Sequence, residues 1–379
     1  MQTHQFTTVL TRSQVQQCLT YEDAMLANKN LFISDLNKHL IPMRTVMEIS
    51  NHGPTLFMPC YLKMSSHDDD QHHLGLKIVS VRSNNPVKYS LDSVNGTISL
   101  LNHENGSLIC LMHANDITGV RTACGSALAV EKLLNSYSGF SSTVERIYEN
   151  LGIMGCGTQG KCHMFAMLRI AKNVKRVILW NQTEERGRNL VRELVENFKA
   201  SEDLPFKFVA SESSQPLEDS HSTRIIEISF NSNANQVSNQ SDIICCCTNS
   251  SKPFFETNQV RDGTIITCIG SYKPFMQEVE SQLVTKSKVI ADLKEAVLEE
   301  SGDLIIPLQE NLISHDHIQC ELSQLIQFTS EQVNEKFQIG KDIIIYKSVG
   351  FAAQDLAVAH QIYQRALSLK VGLSINLNE

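Results

Sequence analysis

Gly155, Gly157 and Gly160 fall as G-x-G-x-x-G within "NLGIMGCGTQGKCHMF", which begins at Asn150 of a 379-residue chain. The residues before the turn, "RIYENLGIM", read as a strand, and those after it, "KCHMFAMLRIAKN", as a helix. In that setting the first glycine permits a tight turn, the second lets a pyrophosphate approach the backbone, and the third lets the helix pack closely. The helix start offers unpaired N–H groups and the positive end of its dipole to phosphates. The turn therefore predicts a dinucleotide site. A second strand, "RVILWN", ends at Trp180-Asn181-Gln182-Thr183. A carboxylate there would bond the ribose hydroxyls and repel a 2′-phosphate. Asn181 is neutral, and Arg186 and Arg188 follow, so NADPH is the expected cofactor, with NADH also admitted.

Three cations in the N-terminal half could hold a charged substrate beside a nicotinamide. Arg44 interrupts the apolar "IPMRTVM", and Lys77 lies within the strand-like "LGLKIVS". A charge on the inner face of a strand must meet a partner. Arg121, in "ITGVRTACGS", is expected in the first turn of a helix, where cations are disfavoured and a nearby anion would explain one. Together they could bind a carboxylate, the arginines as bidentate forks. Taken singly, each reads at least as well as half of a surface or structural ion pair.

The elements that must carry these residues divide the chain. From about Arg146 onward, short β-rich runs alternate with helical ones: "RVILWN", "EERGRNLVRELVENF", "DIICCCT", "TIITCIG" and "KVIAD". That alternation predicts a doubly wound parallel sheet. "SESSQPLEDSHS" and "NSNANQVSNQS" read as surface loops. Earlier, "LGLKIVSVRS", "GTISLL" and "GSLICLMHAND" predict an antiparallel sheet, followed by a long bridging helix. The tail "DIIIYKSVGFAAQDLAVAHQIYQRAL" reads as strand, glycine turn and helix returning to the first domain. The expected fold is α/β. A Rossmann domain over 131–320 joins a second α+β domain built from both chain ends, 1–130 and 321–379.

The net charge of −8 argues against a nucleic-acid binder. No stretch is long and apolar enough to predict a membrane span. The N-terminus lacks a signal pattern and "NLNE" matches no C-terminal address, so a cytoplasmic protein is expected. Eleven cysteines, an odd number and several in apolar runs, read as reduced buried thiols. Within "SSHDDDQHH", Asp68, Asp70, His72 or His73 could approach a divalent ion, but a solvated loop is the expected reading and no metal is predicted.

The order "LGLKIVSVRSN", "DITGVRTACGSALA", "GIMGCGTQG", "LWNQT", "IICCCTNS", "IGSYKPFMQEV", "ADLKEAVLEESGDL" and "YKSVGFAAQDLA" resembles the ornithine cyclodeaminase/mu-crystallin family, from roughly Arg44 to Ala366. The resemblance implies a Rossmann domain, a dimerising second domain and NAD(H) or NADP(H). It also implies amino-acid or cyclic imine substrates bearing a carboxylate. At matching positions, Arg44, Lys77 and Arg121 would face the substrate carboxylate and cofactor phosphates. Ser93 would sit near the nicotinamide, and Gly157, Thr158 and Gln159 at the pyrophosphate. Asn181 and Thr183 would lie at the adenosine ribose, with Thr248, Asn249, Gly270, Ser348 and Val349 lining the remaining cleft.

Departures from the pattern narrow the expected activity. Cyclodeaminases carry an aspartate two residues after the glycine of the "IGS" turn, where this chain has Tyr272. At the place of a second acid expected just before the Met-Pro pair this chain has Leu56, in "TLFMPC". The mu-crystallin branch also lacks the aspartate and reduces cyclic ketimines. NADP-binding members follow the asparagine with an arginine, here Gln182. The resemblance thus implies a reductase of cyclic ketimine 2-carboxylates, with Lys77 or Tyr272 as candidate proton donor. An ornithine cyclodeaminase (a lyase) or NAD-dependent amino-acid dehydrogenase is the first alternative. A cofactor-holding binding protein of mu-crystallin type is the second.

Overall fold

The computed structural model describes residues 6–65, 70–137, 148–197, 205–211 and 223–377. It divides into two compact units: Met1–Gly125 with Gly350–Glu379, and Ser126–Val349. The expected boundary at 320 therefore falls inside the second unit. The strand Ile344–Lys347, read from sequence as part of a returning tail, pairs in parallel with both Ile265–Cys268 and Lys288–Ala291. Only the tail's helix, Ala352–Leu369, belongs to the first unit.

The first unit is built on a seven-stranded sheet. Its central hairpins run Thr45–Ile49, Gly53–Ser65, Asp70–Val81, Val94–Leu101 and Leu108–His113, each antiparallel to the next. Thr7–Leu10 adds in parallel beside Leu108–His113. Side chains alternate between faces along each strand. His73, Gly75, Lys77 and Val79 accordingly share the buried face. A Cβ on Gly75 would lie 2.5 Å from Leu356 Cδ1 of the helix Ala352–Leu369, so glycine lets that helix lie close on the sheet.

Two helices absent from the sequence reading, Arg12–Cys18 and Tyr21–Ile33, also belong here. Thr11 and Thr20 cap them, accepting from the N–H groups of Gln14 and Asp23. Val15, Ala24, Leu31 and Phe32 are buried, and Phe32 meets Phe351 edge-on with ring centroids 5.8 Å apart.

The second unit carries a nine-stranded, wholly parallel sheet. Asn150–Met154 lies in its middle, with Arg176–Trp180 on one side and Ile243–Cys246 on the other. The chain first builds outward through Arg176–Trp180, then crosses to Ile243–Cys246. The order thus reverses at the strand that leads into the glycine turn, and ligands of doubly wound sheets bind at the carboxyl ends of strands at such a reversal.

Phe206–Ala210, Arg224–Phe230 and Ile318–Glu321 complete the sheet and were not anticipated from sequence. "NSNANQVSNQS", expected as a loop, contains the helix Ala234–Gln240. Asn233 caps it by accepting from Asn235 and Gln236, and Val237 is buried. The cap and one apolar anchor outweigh the polar composition. Most of the other expected loop, 212–222, lies outside the described residues, as do Asp68 and Arg146. Among the described residues, no helix is long and apolar enough to cross a membrane.

Candidate cofactor and substrate sites

The glycine turn meets the demands of a phosphate cradle. Gly155 has φ +107°, a left-handed conformation that favours glycine. A Cβ on Gly160 would lie 1.8 Å from the Gly155 carbonyl oxygen, so no larger residue fits. A Cβ on Gly157 would meet nothing within 4 Å. Gly157 is the N-cap of the helix Thr158–Ile170 and, having no side chain, does not cap it. Room at Gly157, closure at Gly160 and the helix start between them fit a pyrophosphate.

Asn181 organises this edge. Its Oδ1 accepts from the Cys156 N–H at 2.9 Å and its Nδ2 donates to the Thr183 carbonyl at 2.9 Å, tying the second strand's tip to the glycine turn. Gln182 and Thr183 are exposed. Arg188 bonds Glu184 at 3.2 Å and lies over the Phe230 ring, 5.1 Å from its centroid. Burial pushes the Cys156 thiol up to about 11, against the opposing charges of Arg186 and Lys161.

The neighbouring loops are stitched by carboxylates that sequence reading missed. Thr248 follows Ile243–Cys246 and Gly270 follows Ile265–Cys268. Glu278 Oε1 accepts from both the N–H and hydroxyl of Thr248 at 2.7 Å, and its Oε2 accepts from Gly270 N–H at 2.6 Å. Ser348 donates its hydroxyl to Asp292 at 2.7 Å, and Val349 N–H donates to the same oxygen at 3.1 Å. Asn249 is exposed. Tyr272 is 37% exposed, and burial of its remainder raises the phenol, making it a poorer acid.

In the first unit, Lys77 and Arg121 converge on an acid that was also missed. Asp355 Oδ1 accepts from Lys77 Nζ at 2.8 Å and from Arg121 Nε at 3.0 Å, all three side chains being buried. Arg121 Nη1 also donates to Gln354 Oε1 at 3.0 Å, and Arg44 Nη2 donates to the Gly350 carbonyl at 2.6 Å. Gly350 has φ +72°, and a Cβ there would lie 2.2 Å from Arg121 Nη1, so the guanidinium and the turn require each other.

The expected reason for Arg121 needs correction. The helix begins at Asn115, which puts Arg121 beyond its first turn, and Asp355 explains the cation. The signal available was an acid embedded in the apolar run "FAAQDLAVAH", which must be paired when buried. Ser93, assigned to the nicotinamide by resemblance, is half-buried and accepts from Arg82 N–H at 2.7 Å through its carbonyl.

The electrostatics favour ionised groups in this cluster. Burial lowers Lys77 to about 8, Asp355 opposing the shift and Arg121 adding to it. Burial alone would raise Asp355, but the charges of Arg121 and Lys77 outweigh it and hold the carboxyl below its ordinary value. Two buried cations thus share one carboxylate, leaving one positive charge surplus among the three. A separate cavity of about 560 Å³, lined by His73, His360 and Lys38 among others, includes none of these groups. His72 bonds Tyr61, and His73 packs on His360; among the described residues no three His, Cys, Asp or Glu side chains group to hold a metal.

Known proteins share this architecture. The chain is 28% identical over 334 residues to the Delta(1)-pyrroline-2-carboxylate reductase of Bacillus cereus, covering 88% of each. Its structure matches the Thermococcus litoralis Delta(1)-pyrroline-2-carboxylate reductase, solved in complex with NADH and L-proline. The TM-score is 0.79 at 26% identity, over 97% of this chain and 100% of that one. An archaeal alanine dehydrogenase dimer with bound NAD shares the fold at TM-score 0.77 and 23% identity, over 98% and 99% of the two chains. The model of the ornithine cyclodeaminase/mu-crystallin family matches residues 5–215 and 210–370, and the chain belongs to that family.

Proposed function

We propose that this chain reduces cyclic ketimine 2-carboxylates to cyclic amino acids with a nicotinamide cofactor, NADPH in preference to NADH. The surplus positive charge of the Lys77–Arg121–Asp355 cluster carries the reading, because a substrate carboxylate supplies the missing negative charge. Reduction of pyrroline-2-carboxylate in the Bacillus and Thermococcus relatives, by their names, concerns the same substrate class. Arg44 and Arg121 grip the carboxylate, and Lys77 adds its charge. Fixing the carboxylate orients the C=N carbon, and positioning of this kind supplies much of the barrier reduction.

Gly155, Gly157 and Gly160 hold the cofactor's pyrophosphate, beside Thr158 and Gln159. Thr248, Asn249, Gly270, Ser348 and Val349 belong to the loops that hold its remainder. A bound reduced nicotinamide supplies the hydride. That hydride would go to the imine carbon and a proton to the nitrogen, so the C=N double bond would become CH–NH. Lys77 is a better proton donor than Tyr272, since burial brings its ammonium to about 8 while raising the phenol.

Oxidation of NADPH and NADH with pyrroline- and piperideine-2-carboxylate tests the reading, alongside ammonia release from ornithine with NAD. Cofactor oxidation without ammonia release supports the reductase. Ammonia from ornithine would make the chain a cyclodeaminase despite Tyr272.

NADPH preference rests on neutral Asn181 and on the positive charge of Arg186 shortly after the second strand. Arg186→Ala is expected to raise KM for NADPH about tenfold while leaving NADH nearly unchanged, as loss of one charged phosphate contact would do. Equal effects on the two cofactors would remove Arg186 from the 2′-phosphate site.

The proposed assembly is a homodimer in the cytoplasm. Thr45–Ile49 is an edge strand, exposed throughout, with Val46 50%, Met47 53% and Ile49 39% exposed. Exposed edge strands that carry apolar side chains invite pairing unless covered. Met47→Glu is expected to shift the protein from dimer to monomer by light scattering. An unchanged mass would exclude this edge as the interface.

A further inference from the structure

We propose that the Glu278 carboxylate is a positioning residue for cofactor binding, clamping the loops after Ile243–Cys246 and Ile265–Cys268 in the shape that receives the nicotinamide cofactor. This inference rests on the proposed cofactor site and deepens it. The loops form a continuous row with the glycine turn. A Cβ on Gly155 would lie 2.6 Å from the Cys247 carbonyl oxygen, and a Cβ on Gly270 would lie 1.6 Å from that of Thr248. The Thr248 loop is therefore wedged between the phosphate cradle and the Gly270 loop, and its position sets both contacts.

Glu278 holds the row by accepting three hydrogen bonds: two from Thr248 and one from Gly270. Only an acceptor at both oxygens can do this. A protonated carboxyl, or an amide, puts a donor against a donor on one side. The acid is fully buried, so water cannot replace a lost bond.

Glu278 is itself held from behind. Its N–H donates to Asp303 Oδ1 at 2.7 Å, and Asp303 Oδ2 accepts from the fully buried Lys347 Nζ at 3.1 Å. The charged and titratable groups facing it are Asp303 on the helix Gly302–Gln309 and Lys347 on the strand Ile344–Lys347. The thiols of Cys246, Cys247 and Cys268 complete the set. Burial and the Asp303 charge push Glu278 up to about 7, against the pull of Lys347 and the Thr248 bonds. The clamp is thus complete above neutrality and weakens as pH falls through about 7.

Fluorescence titration of the purified full chain with NADH and with NADPH, between about pH 6 and about pH 8, tests the proposal without any imine present. NADH is the deciding ligand, because it lacks the phosphomonoester of NADPH, whose own titration lies near pH 6. Wild-type affinity for NADH is expected to rise with pH through about 7. Glu278→Gln is expected to bind about tenfold more weakly, the loss of one buried hydrogen bond, and to show no such rise. Asp303→Asn removes the charge that helps raise Glu278, so the rise is expected at lower pH; this variant and the wild-type profile decide the matter should Glu278→Gln fail to fold.

A flat wild-type profile, or a rise that survives in Glu278→Gln, overturns the proposal. Failure to bind either cofactor overturns both this proposal and the cofactor reading. The expected binding profile without imine turnover upholds the clamp and removes only the reductase reading.

Discussion

Replacing Lys77 with methionine is expected to leave the first unit folded and to lower kcat/KM for the cyclic imine by about 10²–10⁴-fold, the range set by loss of a positioned proton donor. The fold should survive because Arg121 keeps its bonds to Asp355 and Gln354, so the carboxylate is not stranded. Methionine also occupies much of the space of the lysine stem.

The pH profile separates proton donation from simple charge. Lys77 is protonated below about 8 and neutral above it. With Lys77 as the proposed donor, reduction would consume that proton, so wild-type kcat/KM is expected to hold on the neutral side and fall as pH rises through about 8. Lys77→Arg keeps a positive charge but holds its proton too tightly to donate it. It should retain the substrate KM better than the methionine variant while its kcat stays low. Steady-state pH profiles of the three proteins check this, and near-wild-type turnover by Lys77→Met would remove Lys77 from the chemistry.

Asp355→Asn is expected to have the opposite signature, a loss of stability before a loss of chemistry. Asparagine keeps the shape but removes the charge shared by Lys77 and Arg121. Removing one partner of a buried ion pair costs about 3–5 kcal/mol, because the remaining charge stays buried and unpaired. The sign of the pH dependence follows from the lowered carboxyl pKa. The folded state holds the Asp355 proton less readily than the unfolded chain. Its contribution is therefore present above the ordinary carboxylate pKa and is lost as pH falls through the folded value.

Wild type and Asp355→Asn should differ most at neutral pH and converge in acid. Lys77 would also lose the charge that opposes its depression, so any remaining activity should fall away at lower pH than in wild type. Thermal unfolding at neutral and acid pH, with activity profiles, provides the check. Equal neutral midpoints would show that Asp355 does not bear this charge.

The two sites were unequally legible in the sequence. Gly155, Gly157 and Gly160 could be read because their roles are local: turn, close approach and helix packing act within one strand–turn–helix unit. Lys77, Arg121 and Arg44 stood out as cations in apolar surroundings, but the expected helix-end explanation for Arg121 gave way to Asp355, 234 residues away along the chain. Glu278, Asp292 and Asp303 were passed over because a single acid in the sequence looks like any surface acid. Only burial shows that their partners are backbone N–H groups of other loops.

Helices Arg12–Cys18 and Ala234–Gln240 were lost for a related reason. Their apolar faces are narrow, and their caps and tertiary contacts decide the conformation. Likewise the strand Ile344–Lys347 reads like any other β-run. Its place between Ile265–Cys268 and Lys288–Ala291 follows from long-range parallel pairing, which no local pattern encodes.

By itself the sequence determined the α/β class, the glycine turn between strand and helix, the cations in apolar surroundings and the family. Each is written in short spacings or in the order of motifs. The tertiary structure alone decided which carboxylate pairs with Lys77 and Arg121, which acid ties the Thr248 and Gly270 loops and where the second unit ends. Those outcomes depend on burial and on pairing between residues far apart in the chain, and desolvation gives such contacts their strength.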